Sequence, residues 1–395
     1  MIFSSIDIFC HCIDNFGDAG VVYRFVNEFK IRHPKCRIRV FIDSKETLRA
    51  IVNKIDPSLV IQEHESITYI NTLSLTERLI DDLGVADVMV EAFACHIPEA
   101  LLELAYDKSK LIINLEYLSA ESWVEEYHLK ESLLGRGSVR KFFFMPGFRE
   151  TTGGLILNSR LKTMRADNNF NKSKLLNTLL SPFYNIQENE LIGTVFTYKR
   201  GFDTLLVDLA ALNNKVTLLI FGEKSQQSIT ASLKRLCQER YCGCDNNQHP
   251  QYNYKNVKLI YMPFIDQHSY DTLLCCTDFN IVRGEDSLAR AALSGKPFIW
   301  NAYIQDEKYQ KVKVEALLET MRPFYKNLTD FTDYSDLMLK FNDAACESTN
   351  ETTSESYHLF FKNLKKHEHA AAEMSYFIHL KCDLINNFTN FLNKY

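Results

Sequence analysis

Two short loops of this chain combine carboxylates, glycines and a helix start in a way that suits polar group transfer. The first reads Asp14-Asn15-Phe16-Gly17-Asp18-Ala19-Gly20. Two carboxylates four residues apart, with Gly17 and Gly20 permitting close backbone approach, can supply a general base and an orienting partner. The same spacing equally suits two side chains that cap the following helix. The second loop, Arg283-Gly284-Glu285-Asp286-Ser287, leads into the helical pattern SLARAALSG. A helix start exposes backbone N–H groups and carries partial positive charge, so the amides near Asp286 and Ser287 can hold a diphosphate. Asp and Ser are also ordinary residues of helix starts. Phe196 and Tyr198 stand two apart at the end of an apolar run, where alternate residues share a face. They can sandwich a nucleobase, or form half of a hydrophobic face. Phe264, Gln267 and Tyr270 follow another such run and can read and stack a base, or simply begin a helix.

Other motifs exclude chemistry rather than supply it. The pair Gly17-x-x-Gly20 lacks the first glycine of the dinucleotide fingerprint, which argues against a nicotinamide enzyme. Gly222-Glu223-Lys224-Ser225 places Glu between the Gly and Lys that a P-loop keeps adjacent. Cys237, Cys242, Cys244 and His249 depart from the usual spacing of zinc ligands and flank an Asn-rich loop. His367-Glu368-His369 lacks the four-residue spacing of a zincin and, following two lysines, reads as a solvated helix face. No metal site is expected.

The elements that must position these loops repeat a single pattern. Strands are expected at SIDIFC (5 to 10), RIRVFI (37 to 42), DVMVEAF (87 to 93) and KLIINLEY (110 to 117). Between the first two, Val22, Phe25, Val26 and Phe29 recur at spacings of three and four, the signature of a helix with one buried face. From 156 to 190 the chain is polar and Asn-rich and reads as a connection. Strands then resume at IGTVFTY (192 to 198), VTLLIFG (216 to 222), VKLIYM (257 to 262), FNIVRG (279 to 284) and PFIW (297 to 300). Alternating strands and helices imply parallel sheets, so the expected fold is α/β. Residues 1–155 form one Rossmann-like domain, 191–365 a second, and 366–395 a terminal helix that can pack back on the first. Two such domains facing a cleft are the GT-B architecture of many nucleotide-sugar transferases.

Composition narrows the class further. At 395 residues the chain exceeds what one core usually supports. Its 46% apolar and 24% charged content is that of a globular protein. A net charge of -5 lacks the basic excess that nucleic-acid binding would leave. The opening residues carry no basic segment before their apolar run, and no stretch is long and apolar enough to span a membrane. Eleven scattered cysteines suit free thiols in a reducing compartment, so a cytoplasmic protein is expected.

Taken together, IDNFGDAGV (13 to 21), VEAFACHIPE (90 to 99), NLEYLSAESW (114 to 123), MPGFRETTGGLI (145 to 156), Phe196-x-Tyr198 and IVRGEDSLARAALSGKPFIWNAYIQDE (281 to 307) resemble the bacterial protein-arginine rhamnosyltransferases that modify translation elongation factor P. The resemblance implies a GT-B fold, dTDP-β-L-rhamnose as donor substrate with no further cofactor, and an inverting, metal-independent transfer. The acceptor it implies is an arginine of elongation factor P. By the same resemblance, Asp18 matches the catalytic base and Asp14 the other acid of its loop, with Asn15, Phe16 and Gly17 between them. Phe196, Tyr198, Phe264, Gln267 and Tyr270 match positions around the nucleotide. Glu285 matches a residue needed for activity, Asp286 and Ser287 match diphosphate contacts, and Arg283 and Tyr303 lie in the same block. The alternatives are a GT-B transferase with another nucleotide sugar or acceptor, and a nucleotide-binding module without catalysis.

Overall fold

The computed structural model describes residues 3–13, 16–133, 139–166, 171–181, 183–187, 189–237, 243–244, 250–305, 308–343 and 355–395. The chain divides into two compact units, Met1–Ser159 with Ile378–Tyr395, and Arg160–Phe377.

The first unit is built on strands β1 (Ser5–Cys10), β2 (Arg37–Ile42), β3 (Ile61–His64), β4 (Ile67–Asn71), β5 (Val88–Ala92), β6 (Leu111–Leu115), β7 (Glu131–Ser132) and β8 (Arg140–Phe144). They form one sheet in the order β3-β4-β2-β1-β5-β6-β8-β7, parallel except at the edge pairs β3–β4 and β7–β8. The central strands are buried on both faces, which is why they read as near-continuous apolar runs. One face packs Ile6, Ile8, Val40 and Val90 against Val22, Phe25, Val26 and Phe29 of the helix Phe16–Arg32. The other packs Phe9, Phe41, Met89 and Ile112 against Leu101 and Ala105 of the helix Glu99–Lys108.

All nine expected strands recur, seven of them to within one residue at each end, but the short edge strands carry no such signal. β3 carries IQEH, whose alternation is half exposed, and β7 has two residues. A strand at a sheet edge needs no apolar face on its outer side, so its sequence lacks the apolar signal.

The chain's end completes the first core. Leu384, Ile385, Phe388, Phe391 and Leu392 join the cluster of Phe25, Phe29, Phe142 and Phe144. Leu155 N–H donates to Cys382 O at 2.8 Å and Leu384 N–H to Leu155 O at 2.9 Å. Arg32 Nη1 donates to Asp383 Oδ1 at 2.7 Å. The expected single terminal helix is in fact two, Leu364–Lys381 and Leu384–Leu392. Asp383 separates them by capping the second, its side chain accepting from Asn386 N–H.

The second unit carries β9 (Leu191–Val195), β10 (Val216–Phe221), β11 (Gly243–Cys244), β12 (Gln251–Tyr254), β13 (Val257–Met262), β14 (Phe279–Arg283) and β15 (Phe298–Asn301). Their order is β11-β12-β13-β10-β9-β14-β15. The polar stretch expected as a plain connection contains two helices, Ser159–Ala166 and Lys172–Leu180. In the latter, Leu176 and Leu180 pack against Ile192, Leu219 and Ile260, and Asn171 caps the start by accepting from Lys174 N–H at 2.9 Å. The asparagines that read as loop residues thus include a helix cap.

His367 corrects another expectation. It is only 1% exposed, and its ring stacks on Phe360 with centroids 5.2 Å apart beside Tyr334 and Tyr325. It belongs to the core rather than to a solvated face. Burial lowers its pKa to about 4. An unfolded histidine titrates near 6.5, so the stability this neutral ring contributes is complete above that pH and lost as pH falls toward 4. Urea unfolding at pH 7 and pH 4.5 should show a loss of about 2 kcal/mol from this residue, at 1.4 kcal/mol per pH unit. In His367→Phe that component of the pH dependence should vanish; an unchanged dependence would contradict it.

Candidate active site

In each sheet the chain runs outward from its first strand, crosses back, and resumes on the first strand's other side. The reversal falls between β1 and β5 in the first unit and between β9 and β14 in the second. Beyond the carboxyl ends of such a strand pair the connections diverge, leaving a crevice where α/β proteins bind ligands. Asp18 lies at the first of these places and Phe196, Tyr198 and Arg283 to Ser287 at the second, whereas Phe264, Gln267 and Tyr270 follow β13.

In the first unit, Asp18 occupies the first turn of the helix that follows β1, and it is 2% exposed. Its Oδ2 accepts the Ile13 N–H at 2.9 Å, and its Oδ1 accepts the Tyr117 hydroxyl at 3.1 Å. The carboxylate therefore ties the loop to the helix and to the segment after β6, while the helix's positive end favours its charge. Phe16 is half exposed and Gly17 partly so. Asp14 and Asn15 lie outside the described residues.

The residues after β5 and β6 at this edge received no role from the sequence. Phe93 stacks on Tyr117 with centroids 4.3 Å apart and planes inclined by 15°. Phe93 and Ala94 both take left-handed backbone, with φ of 60° and 51°. Such strain in residues other than glycine concentrates at functional sites. Both aromatics are the last residues of expected strands, and the observed strands stop before them, so the rule that directed attention to Asp18 applies to them as well.

In the second unit, β9 stops at Val195, leaving Phe196 and Tyr198 on the loop beyond it rather than on one strand face. Three serines of the helix Glu223–Leu236 fasten this loop. Ser225, Ser228 and Ser232 accept the N–H groups of Thr197, Arg200 and Phe202 at 2.8, 3.2 and 2.8 Å. Asn301 Oδ1 accepts the Tyr198 N–H at 3.0 Å. Phe196 and Tyr198 do not enclose an open slot: the Arg283 guanidinium lies 4.3 Å and 5.0 Å from their ring centroids and donates to Thr197 O at 3.1 Å. Tyr303 meets Tyr198 edge-on at 5.5 Å and is half exposed.

Arg283 ends β14 at the N-cap of the helix Gly284–Ser294, where its side chain offers no acceptor to the first-turn amides. Glu285 lies 3.4 Å from Lys313 Nζ, Asp286 lies 3.6 Å from Arg290 Nε, and Ser287 is buried. After β13, Phe264 is 63% exposed, while Gln267 opens the helix Gln267–Cys276, capped by Asp266. Tyr270 meets Phe196 and Phe221 edge-on at 6.3 and 5.6 Å. Among the described residues, no cluster of His, Cys, Asp and Glu is arranged to hold a metal ion. Cys242 and His249 lie outside the described residues. Cys10, Cys12, Cys36, Cys95, Cys237, Cys275, Cys276 and Cys382 are free thiols, and no described helix is long and apolar enough to cross a membrane.

Two doubly wound, mainly parallel sheets define the GT-B class of glycosyltransferase fold. A solved structure described as the basis for EarP-mediated arginine glycosylation of translation elongation factor EF-P shares this fold, with a TM-score of 0.62, 19% identity and 99% of each chain covered. Residues 6–393 match the family of the elongation-factor P (EF-P) rhamnosyltransferase EarP, and the chain belongs to that family. The protein-arginine rhamnosyltransferase of Pseudomonas aeruginosa is 31% identical over 80% of this chain and 81% of its own. That of Shewanella oneidensis is 33% identical over 86% and 85%. The chain is an enzyme of the glycosyltransferase class.

Gly222 makes room for Phe196. Its φ is +77°, and a Cβ there would stand 2.7 Å from Phe196 Cε2. Gly84 has a φ of +55° with nothing within 4 Å of such a Cβ. Both alanine variants incur backbone strain of about 1 to 3 kcal/mol. Only Gly222→Ala adds a collision, so urea unfolding should show it the less stable of the two by about 1 kcal/mol or more. Equal losses would mean that Phe196 moves aside without cost.

Proposed function

We propose that this enzyme transfers L-rhamnose from dTDP-β-L-rhamnose to an arginine side chain of translation elongation factor P in the cytoplasm, with inversion and without a metal ion. The observation that carries the reading is the family match over residues 6–393. The polar groups at the two switch points supply the chemistry.

Guanidinium stays protonated in water, with a pKa above 12, so an acceptor arginine needs to be held and polarised before it attacks. Asp18 is suited to this task, because its carboxylate is fixed on both oxygens by Ile13 and Tyr117. Accepting a hydrogen bond from the guanidinium, it aims one nitrogen at the anomeric carbon and takes up its proton as the new C–N bond forms. The bond from the anomeric carbon to the diphosphate oxygen breaks as the electron pair leaves with dTDP. A single displacement inverts the configuration.

The leaving diphosphate gathers negative charge, which the amides at the start of Gly284–Ser294 stabilise near Asp286 and Ser287. Arg283, stacked over Phe196 and Tyr198, adds a fixed positive charge beside the same helix start. In this reading Phe196, Tyr198, Phe264, Gln267 and Tyr270 receive the base, Tyr303 borders it, and Glu285 orients the donor. Asp14 is assigned as the second acid of the Asp18 loop, and Asn15, Phe16 and Gly17 are assigned to donor binding, by the family resemblance.

Incubation with dTDP-rhamnose and elongation factor P, followed by mass mapping, tests the transfer directly. Asp18→Asn keeps the shape and removes the base. It should lower the rate by about 10² to 10⁴ while leaving donor affinity within a few-fold, with Asp14→Asn as the comparison. A near-parental rate would reduce Asp18 to a tie between loop and helix, a loss of about 1 kcal/mol in stability. Thorough chelation with EDTA should leave the rate unchanged; loss restored by magnesium or manganese would overturn the metal-free reading.

A further inference from the structure

We infer that Tyr117 is a positioning residue for the transfer reaction, its hydroxyl fixing the Asp18 carboxylate and its ring held in place by Phe93. The inference rests on the reading of Asp18 as the base. Three observations in the first unit converge on it. The Tyr117 hydroxyl donates to Asp18 Oδ1 at 3.1 Å, across 99 residues of sequence. The ring lies flat on Phe93, 4.3 Å centroid to centroid. Phe93 in turn is set by left-handed backbone at Phe93 and Ala94 and by its N–H, which donates to Leu115 O at 2.7 Å.

The arrangement joins the ends of three neighbouring strands. β1 leads to Asp18, β5 to Phe93 and β6 to Tyr117, and β5 pairs with both others. A surface tyrosine that merely filled space would not need its ring on a strained residue and its hydroxyl on a buried carboxylate. With Oδ2 held by Ile13 and Oδ1 by Tyr117, the orientation of the carboxylate plane is fixed from both sides. A base so held presents its acceptor where the guanidinium N–H arrives without first losing rotational freedom. Tyr117 is 42% exposed and Asp18 2%, so the bond runs from the surface of the unit to a buried carboxylate.

Tyr117→Phe keeps the ring and its stack and removes only the hydroxyl. A hydrogen bond to a charged group is typically worth about 10- to 100-fold in an equilibrium or a rate. We expect kcat to fall by about that factor, with the KM for elongation factor P and the affinity for dTDP-rhamnose within about threefold of the parent, and with a melting temperature lowered by no more than about 4 °C. In an Asp18→Asn background the same substitution should change the residual single-turnover rate by less than about threefold, because the group it positions has lost its role. A parental kcat in Tyr117→Phe, or an equal fall in the Asp18→Asn background, overturns the inference. If instead Asp18→Asn itself transfers rhamnose at the parental rate, it is the assignment of the base that fails. The two failures are therefore distinct.

Discussion

The return of the chain to the inner side of its first strand depends on a buried ion pair in the first unit. Asp7 in β1 and Arg39 in β2 are both nearly inaccessible, and Arg39 Nε and Nη2 donate to the two Asp7 oxygens at 2.6 and 2.5 Å. The pair also reaches beyond itself. Asp7 Oδ2 accepts the Ala86 N–H at 2.9 Å, and Arg39 donates to Leu83 O and Gly84 O at 2.7 and 3.0 Å. Residues 83–86 are the segment that brings the chain back from the far side of the sheet to β5. Taking two charges out of water is costly, and a pair is sustained only when its remaining donors and acceptors are met. Here they are met by the backbone of the crossover, so desolvation of the pair is offset only when β5 lies beside β1.

The same solution recurs in simpler form at the strand starts. Asp87, just before β5, accepts the Ser4 N–H at 2.7 Å and its hydroxyl at 2.8 Å. Asp278, just before β14, accepts the Ile192 N–H of β9 at 2.8 Å and pairs with Lys172. Each aspartate fastens a returning strand to the first strand of its sheet. The consequence appears at the opposite, carboxyl ends, where the connections part. Asp18, Phe93 and Tyr117 gather at one such edge, and Phe196, Tyr198, Arg283 and the helix start at Gly284 at the other. The candidate residues are thus placed by ion pairs and hydrogen bonds at the far ends of the strands that carry them.

Local devices refine what the sheets bring together. The serines at 225, 228 and 232 lie on one buried helix face, and each accepts a backbone N–H of the loop that bears Phe196 and Tyr198. Small hydroxyl side chains let the loop backbone approach a helix closely while meeting its donors, which an apolar residue would leave unsatisfied. Gly222, at the start of that same helix, serves the same loop by leaving out the Cβ that would strike Phe196. In the first unit strained backbone at Phe93 does the corresponding work.

The sequence by itself determined the parallel sheets, because strands buried on both faces must be written as apolar runs, and β1, β2 and β13 lie on the expected residues. It also singled out candidate loops, since ligand loops follow strand ends, and its blocks carried the family. It left undecided whatever depends on a distant partner. Edge strands β3 and β7 have one neighbour to satisfy and no inner face to declare them. His367 sits beside two lysines in sequence, yet only the fold surrounds it with Phe360, Tyr334 and Tyr325. The helix Leu384–Leu392 is amphipathic on its own terms, but that its apolar face closes the first core, against Phe25 and Phe144 more than 200 residues away, is a fact of tertiary packing. The Tyr117–Asp18 bond is of the same kind. Each side chain alone is unremarkable, and the parallel pairing of β1, β5 and β6 puts them 3.1 Å apart.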